Sequence, residues 1–185
     1  MDAGQKYGFG VTLIDAFRDE NTDVVSSSHV RDLLNDGNVS EAAAMLGYHY
    51  TVEAEVIGGE KLGRQLGFPT ANMRLPAEAD IQAGIYAVRF RLADGTLYDG
   101  VASYGRRPTV TDNGAPLLET YLFDFSGDLY GQLCSVSFLG YLRPELKFDG
   151  LDPLVEQMNR DKEEASALLT GVQPLGELDR KICFA

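Results

Sequence analysis

The sequence predicts a mainly β protein, an antiparallel barrel or sandwich, with a long helix packed on it and a small strand and two-helix appendage before it. Three observations carry this reading. Apolar and polar residues alternate with period two from Tyr50 onward, short Gly- and Asp-containing turns join the alternating runs, and the period becomes helical after Phe148. Val52, Ala54 and Val56 alternate with Glu53 and Glu55, and Val88, Phe90 and Leu92 alternate with Arg89 and Arg91. Ala93-Asp94-Gly95 then turns the chain into residues 97–102, a hairpin signal. Residues 118–125 form a third strand region, and Ser126-Gly127-Asp128 leads into residues 129–139. Tight turns between short alternating strands point to an antiparallel architecture.

In the helix that follows, Asp152 is placed to cap and Pro153 to occupy the first helical position. Leu151, Leu154, Val155, Met158, Ala165, Leu168 and Leu169 share one face, opposite Glu156, Arg160, Glu163 and Glu164, so this helix should lie against the strands. The tail, residues 171–185, has no defensible period. The first 47 residues have a different texture. A strand-like run at residues 9–14 and a polar loop at 19–23 precede Ser26-Ser27-Ser28, which opens a capped helix ending at Gly37; a second short helix, residues 39–46, ends at Gly47. One strand and two short helices bury too little surface to stand alone, so residues 1–47 read as an appendage to a unit spanning 48–170.

Composition excludes several classes of function. Sixteen basic against 28 acidic residues give a net charge of −12, which repels duplex nucleic acid. No run approaches ~18 consecutive apolar residues, the length of a membrane span, and the first residues lack the apolar core of a secretory signal. Cys134 and Cys183 stand far apart without a CxxC or Cys/His pattern, which suits a reducing cytoplasm rather than a disulfide scaffold or zinc site. A phosphate ligand would need a local pocket with its own charge compensation.

The segment from Gly58 to Asn72 holds the most chemistry. Its glycines imitate a phosphate-binding P-loop, but Arg64 and Gln65 stand where Lys and Ser/Thr are required, and the flanks are strands. Gly58, Gly63, Lys61 and Arg64 still make a locally positive, N–H-rich loop, either an anion cradle or a solvated hairpin. In Phe68-Pro69-Thr70-Ala71-Asn72 the proline extends the preceding residue, and extended backbone puts Thr70 and Asn72 on one side. A hydroxyl and an amide oxygen together suit Mg²⁺, or else bond the local backbone as a turn. Glu119 shares a strand face with Tyr121, Phe123 and Phe125; it either lines a ligand cleft or marks the strand's wet end. In a cleft it could accept a hydroxyl proton.

These residues resemble a family. The run into Gly67-Phe68-Pro69-Thr70-Ala71-Asn72, then Gly105-Arg106-Arg107-Pro108-Thr109, Leu118-Glu119-Thr120-Tyr121, Asp128-Leu129-Tyr130-Gly131 and Lys147-Phe148-Asp149 is similar to the riboflavin kinase module of bacterial bifunctional riboflavin kinase/FAD synthetases, over residues 48 to about 169. The resemblance implies a six-stranded antiparallel Greek-key barrel with a helix beside it. It also implies phosphorylation of the riboflavin ribityl 5′-hydroxyl by ATP with Mg²⁺, giving FMN and ADP, with small molecules as the only partners. Carried onto this chain, Thr70 and Asn72 would contact Mg²⁺ and phosphates. Gly58, Lys61, Gly63, Arg64, Pro69, Tyr130 and Gly131 would surround the nucleotide, and Glu119 would be the general base. The loops carrying Tyr104, Arg107 and Thr109, and Arg143 and Phe148, would close over the flavin; Ser103-Tyr104 departs from the family's usual Asn-Ile. A flavin-binding barrel without catalysis is the alternative, and it would need neither the Thr/Asn pair nor the carboxylate.

The N-terminal 47 residues resemble the end of the FMN adenylyltransferase module that precedes the kinase in those proteins, with Ser26-Ser27-Ser28-His29-Val30-Arg31 in place of its Ser-Ser-Thr-x-Ile-Arg motif. The His-x-Gly-His motif of that module is absent. The resemblance therefore implies a C-terminal piece of a longer protein that lacks adenylyl transfer of its own. The three serines also read simply as a helix cap.

Overall fold

Period-two alternation becomes six antiparallel strands in the computed structural model, which describes residues 26–58, 67–76, 79, 81–106 and 116–185. They are β1 (Thr51–Ile57), β2 (Thr70–Arg74), β3 (Gly84–Arg91), β4 (Leu97–Arg106), β5 (Pro116–Leu122) and β6 (Leu133–Arg143). The sheet closes in the order β1-β2-β5-β4-β3-β6. Because β1 pairs with both β2 (Val56 opposite Met73) and β6 (Val52 opposite Val136), no edge is left open; the fold is a barrel and not a sandwich. Alternation then sorts side chains: Val56, Met73, Tyr86, Val88, Phe90, Leu118, Val136 and Phe138 fill the interior.

Four expected boundaries move for local reasons. The third strand region stops at Leu122, because Asp124 takes φ 55 and ends the alternation. The run expected from residue 129 pairs only from Leu133, because residues 129–132 form a turn with Gly131 at φ 74. β2 forms where the sequence offered only a short extended segment. Asp152 does not cap the long helix α3 (Leu151–Gly171, numbered after the two helices below): Gly150, at φ 124, stands at that position and Pro153 sits inside the first turn.

The helix α1 (Ser27–Asn35) is capped by Ser26, whose hydroxyl accepts the His29 N–H at 3.2 Å, and α2 (Val39–Leu46) ends on left-handed Gly47. Val30, Leu33, Leu34, Val39 and Ala42 belong to the same apolar cluster as the barrel interior, and the Gln82 N–H donates to the Leu34 carbonyl at 2.9 Å. The strand read at residues 9–14 lies outside the described residues. α3 lies on the outer wall formed by β3, β4 and β6, burying Ala165 and Leu169 against Ala87 and Leu139. Among the described residues no helix is long and apolar enough to cross a membrane.

The tail with no readable period is ordered by polar contacts. Short helical turns at Glu177–Asp179 and Arg180–Phe184 bring Asp179 against His49: its carboxylate accepts the His49 N–H at 2.8 Å, the His49 Nδ1 at 3.0 Å and the Leu175 N–H at 2.9 Å. Arg91 donates to the carbonyls of Lys181 and Ile182, and the Arg89 guanidinium lies 4.5 Å from the Phe184 ring centre. Burial pushes the Cys183 thiol up.

The barrel wall is tight at Gly100, where an added methyl group would stand 2.5 Å from the Tyr121 carbonyl oxygen. Gly100→Ala must therefore push β5 away, and a loss of about 1–3 kcal/mol is expected in denaturant unfolding.

Candidate active site

Two strands supply the side chains of the site. In β2, Ala71 and Met73 face the barrel interior, so Thr70 and Asn72 face out; in β5, Leu118, Thr120 and Leu122 face in, so Glu119 and Tyr121 face out. The β2–β5 register sets Asn72 opposite Glu119 and Thr70 opposite Tyr121. Directly opposed residues hold their Cβ atoms about 5 Å apart, so pairing alone gathers the hydroxyl, the amide and the carboxylate on one outer patch.

Two cavities meet there. The first, about 350 Å³, is lined by Pro69, Thr70, Asn72, Phe125, Asp128 and Tyr130, among others. The second, about 370 Å³, lies between the barrel wall and α3; its lining includes Phe68, Thr70, Glu119, Tyr121, Arg143 and Phe148. Thr70 belongs to both, so the cavities share a wall. Phe68 and Tyr121 meet edge to face at 5.0 Å, which makes one side of the second cavity aromatic. Phe125, expected in the same aromatic row, instead packs on Tyr98 and lines the first cavity, because Asp124 has broken the strand.

Other expected residues are placed differently. Tyr104, expected at the flavin, is a correction: it is 2% exposed in the barrel core and its hydroxyl donates to the Ala79 carbonyl. Strand alternation gives the cavity-facing position to Ser103, the register partner of Glu119. Gly131 is exposed, with its N–H on the Val56 carbonyl, and is not among the cavity-lining residues; Gly58 is exposed at the end of β1. Lys61, Gly63, Arg64, Arg107 and Thr109 lie outside the described residues.

The patch fits a hard cation. The Asn72 side-chain oxygen is buried and accepts no hydrogen bond among the described residues, although amides in such positions are almost always partnered. An unmet oxygen beside the Thr70 hydroxyl is a donor set suited to Mg²⁺.

Sequence reasoning missed Asp161 and Glu145. Leu154, Met158 and Asp161 line the second cavity, and Glu145 sits against Gly105, where a methyl group would stand 2.6 Å from its carboxylate. The available signal was Asp161 itself, an acid seven positions after Leu154 and three after Met158 on the apolar face.

Two adjoining cavities that share the Thr70 wall, one bearing a buried unpartnered amide oxygen and the other a carboxylate, have room for two small molecules side by side. A protein-family model for riboflavin kinase matches residues 46–169. Bifunctional riboflavin kinase/FMN adenylyltransferases are similar along most of the chain. The protein from Listeria monocytogenes is 37% identical over 166 residues, covering 89% of this chain and 52% of its own length. The one from Haemophilus influenzae is 41% identical over 171 residues, covering 89% and 53%. This chain thus spans about half the length of these curated relatives. A solved structure titled macrolide-efflux protein, from Streptococcus pneumoniae, is 32% identical with a TM-score of 0.74, over 89% of this chain and 54% of that one. Riboflavin kinase from Trypanosoma brucei shares the fold at 22% identity and a TM-score of 0.50, over 67% and 82%. This chain belongs to the riboflavin kinase family, transferases that phosphorylate riboflavin with ATP and release FMN.

Proposed function

We propose that this chain itself transfers the γ-phosphoryl group of ATP to the ribityl 5′-hydroxyl of riboflavin at the junction of the two cavities. The observation that supports this most directly is the shared Thr70 wall, which joins a cavity bearing Asn72 to one bearing Glu119. The first cavity takes the nucleotide, with Pro69 and Tyr130 among its walls; a chain of net charge −12 needs local compensation for the phosphates, and the sequence offers Lys61 and Arg64 for it. The second takes the flavin: Phe68, Tyr121 and Phe148 offer apolar area to a flat ring, and Arg143 offers N–H donors. Thr70 and Asn72 would hold Mg²⁺, which when bound neutralises charge on the transferring phosphates. Glu119 accepts the proton of the ribityl hydroxyl as its oxygen attacks phosphorus. Exclusion of water by the flavin and the 143–148 loop keeps the phosphoryl group from hydrolysis.

Incubation with riboflavin, ATP and Mg²⁺ is expected to yield FMN and ADP in equal amounts; flavin binding without FMN would instead mark a non-catalytic barrel. We also assign residues 1–47 to the end of an adenylyltransferase module, on the strength of the motif and the longer relatives. A reducing, cytoplasmic setting suits the two buried thiols, Cys134 and Cys183. Asn72→Ala is expected to weaken Mg-ATP binding about tenfold or more while leaving riboflavin binding nearly intact, since one ligand to a charged group is lost. Calorimetric titration with each substrate checks this, and equal losses would remove the metal role.

A further inference from the structure

We propose that Asp161, on α3, is a positioning residue that sets the Arg143 guanidinium for the flavin. The inference rests on the reading of the second cavity as the flavin side, and goes beyond it by naming what orients one wall. Asp161 is 3% exposed, and its carboxylate accepts Arg143 Nε at 2.8 Å and Arg143 Nη2 at 2.6 Å in a forked pair. Gln157, one turn earlier, donates to the same carboxylate at 2.9 Å. Arg143 Nη1 donates to the Pro144 carbonyl at 2.9 Å, tying the fork to the start of the 143–148 loop. The guanidinium is thereby fixed in plane by contacts on either side of the cavity wall.

Two physical arguments separate positioning from simple clamping. A guanidinium carries five N–H groups, and the bonds above engage three, leaving two for a ligand's carbonyl or hydroxyl oxygens. An apolar contact of similar volume would fasten a helix to a barrel as well as a buried ion pair does, without the desolvation of two charges. Both members of the pair line the cavity that also holds Glu119. With Asp161 neutral or absent, the long Arg143 side chain regains rotamer freedom, and every flavin contact through it must reorder it again.

The test is steady-state kinetics with both substrates on the unaltered chain, on Asp161→Asn, and on the double variant Arg143→Met with Asp161→Leu. Asp161→Asn is expected to raise KM for riboflavin about tenfold or more, with KM for ATP and kcat changed far less. The double variant replaces the pair by apolar groups and should melt no lower than the unaltered chain, yet show the same rise. Should Asp161→Asn not fold, an unchanged riboflavin KM in the double variant still overturns the proposal, and Asp161→Glu, which keeps the charge but displaces the fork, is expected to show the rise. An unchanged riboflavin KM in the double variant, or equal rises for the two substrates, overturns the positioning role and leaves a clamp. Failure of the unaltered chain to make FMN overturns the underlying reading and this proposal with it; normal FMN formation with unmoved KM overturns the proposal alone.

Discussion

Glu119→Gln is expected to lower kcat by roughly 10²–10⁴-fold, the usual share of a positioned general base. Glutamine keeps the length and shape of the side chain but cannot take up a proton at neutral pH. Glu119 is half-buried on the outer face of β5, opposite Asn72 on one side and Ser103 on the other, so an isosteric replacement leaves the strand pairing untouched. The melting temperature should therefore stay within a few degrees, and KM for both substrates should move little, because the lost function belongs to the transition state. Steady-state rates with riboflavin and Mg-ATP check this. Turnover within a few-fold of the unaltered chain would show that the hydroxyl loses its proton without Glu119, and the carboxylate would then be only part of the cavity wall.

The expected loss is large because the residues around Glu119 are set by backbone pairing and not by flexible reach. Thr70, Asn72, Glu119 and Ser103 occupy register positions on three adjacent strands of a closed sheet. Moving any one of them means moving a strand, and Gly100 shows how little room the wall has, since an added methyl group there would run into the Tyr121 carbonyl. A group held this way keeps its geometry through the reaction, which is what a transfer with little covalent work for the protein requires.

Much of this is legible in the amino-acid sequence alone. Alternation at Val52 to Val56 and Val88 to Leu92 announces strands because period two has one structural meaning, and the turn at Asp94-Gly95 is equally local. The Thr70/Asn72 pair was readable for the same reason: neighbours two apart in extended chain share a side. The opposition of Asn72 and Glu119 was not, because register between strands 47 positions apart depends on how the whole sheet closes. Tyr104 was misassigned because a resemblance locates a loop but not the parity of a strand; one position's shift exchanges core for cavity. Asp161 passed unnoticed because an acid on an apolar helical face acquires meaning only once Arg143 lies across from it. The tail was unreadable because its order comes from long-range polar partners, not from a period.

That tail carries the largest expected effect on stability. Asp179→Ala is expected to cost about 3–5 kcal/mol, the usual penalty for removing one partner of a buried pair, or on the order of 10 °C in melting temperature for a chain this size. Asp179 is fully buried and gathers the His49 N–H, the His49 ring and the Leu175 N–H on one carboxylate, so its loss strands three donors at once. The same tail carries Phe184, packed in the cluster where Ala165 and Leu169 of α3 meet the barrel; loosening it should free the helix whose other half lines the second cavity. Burial alone pushes the Asp179 carboxyl up, but the Leu175 and His49 N–H groups and the His49 ring outweigh it and hold the carboxyl below its ordinary value. A carboxyl lowered in the folded state adds stability above its unfolded value, near ~3.9, and loses it as pH falls through the lower folded value. The gap in melting temperature between the unaltered chain and Asp179→Asn should thus hold steady from neutral pH down to about pH 5 and close only below about pH 4. Scanning calorimetry across that range checks both parts: a gap that stays constant into acid would show that the carboxylate's charge contributes nothing to the tail's docking.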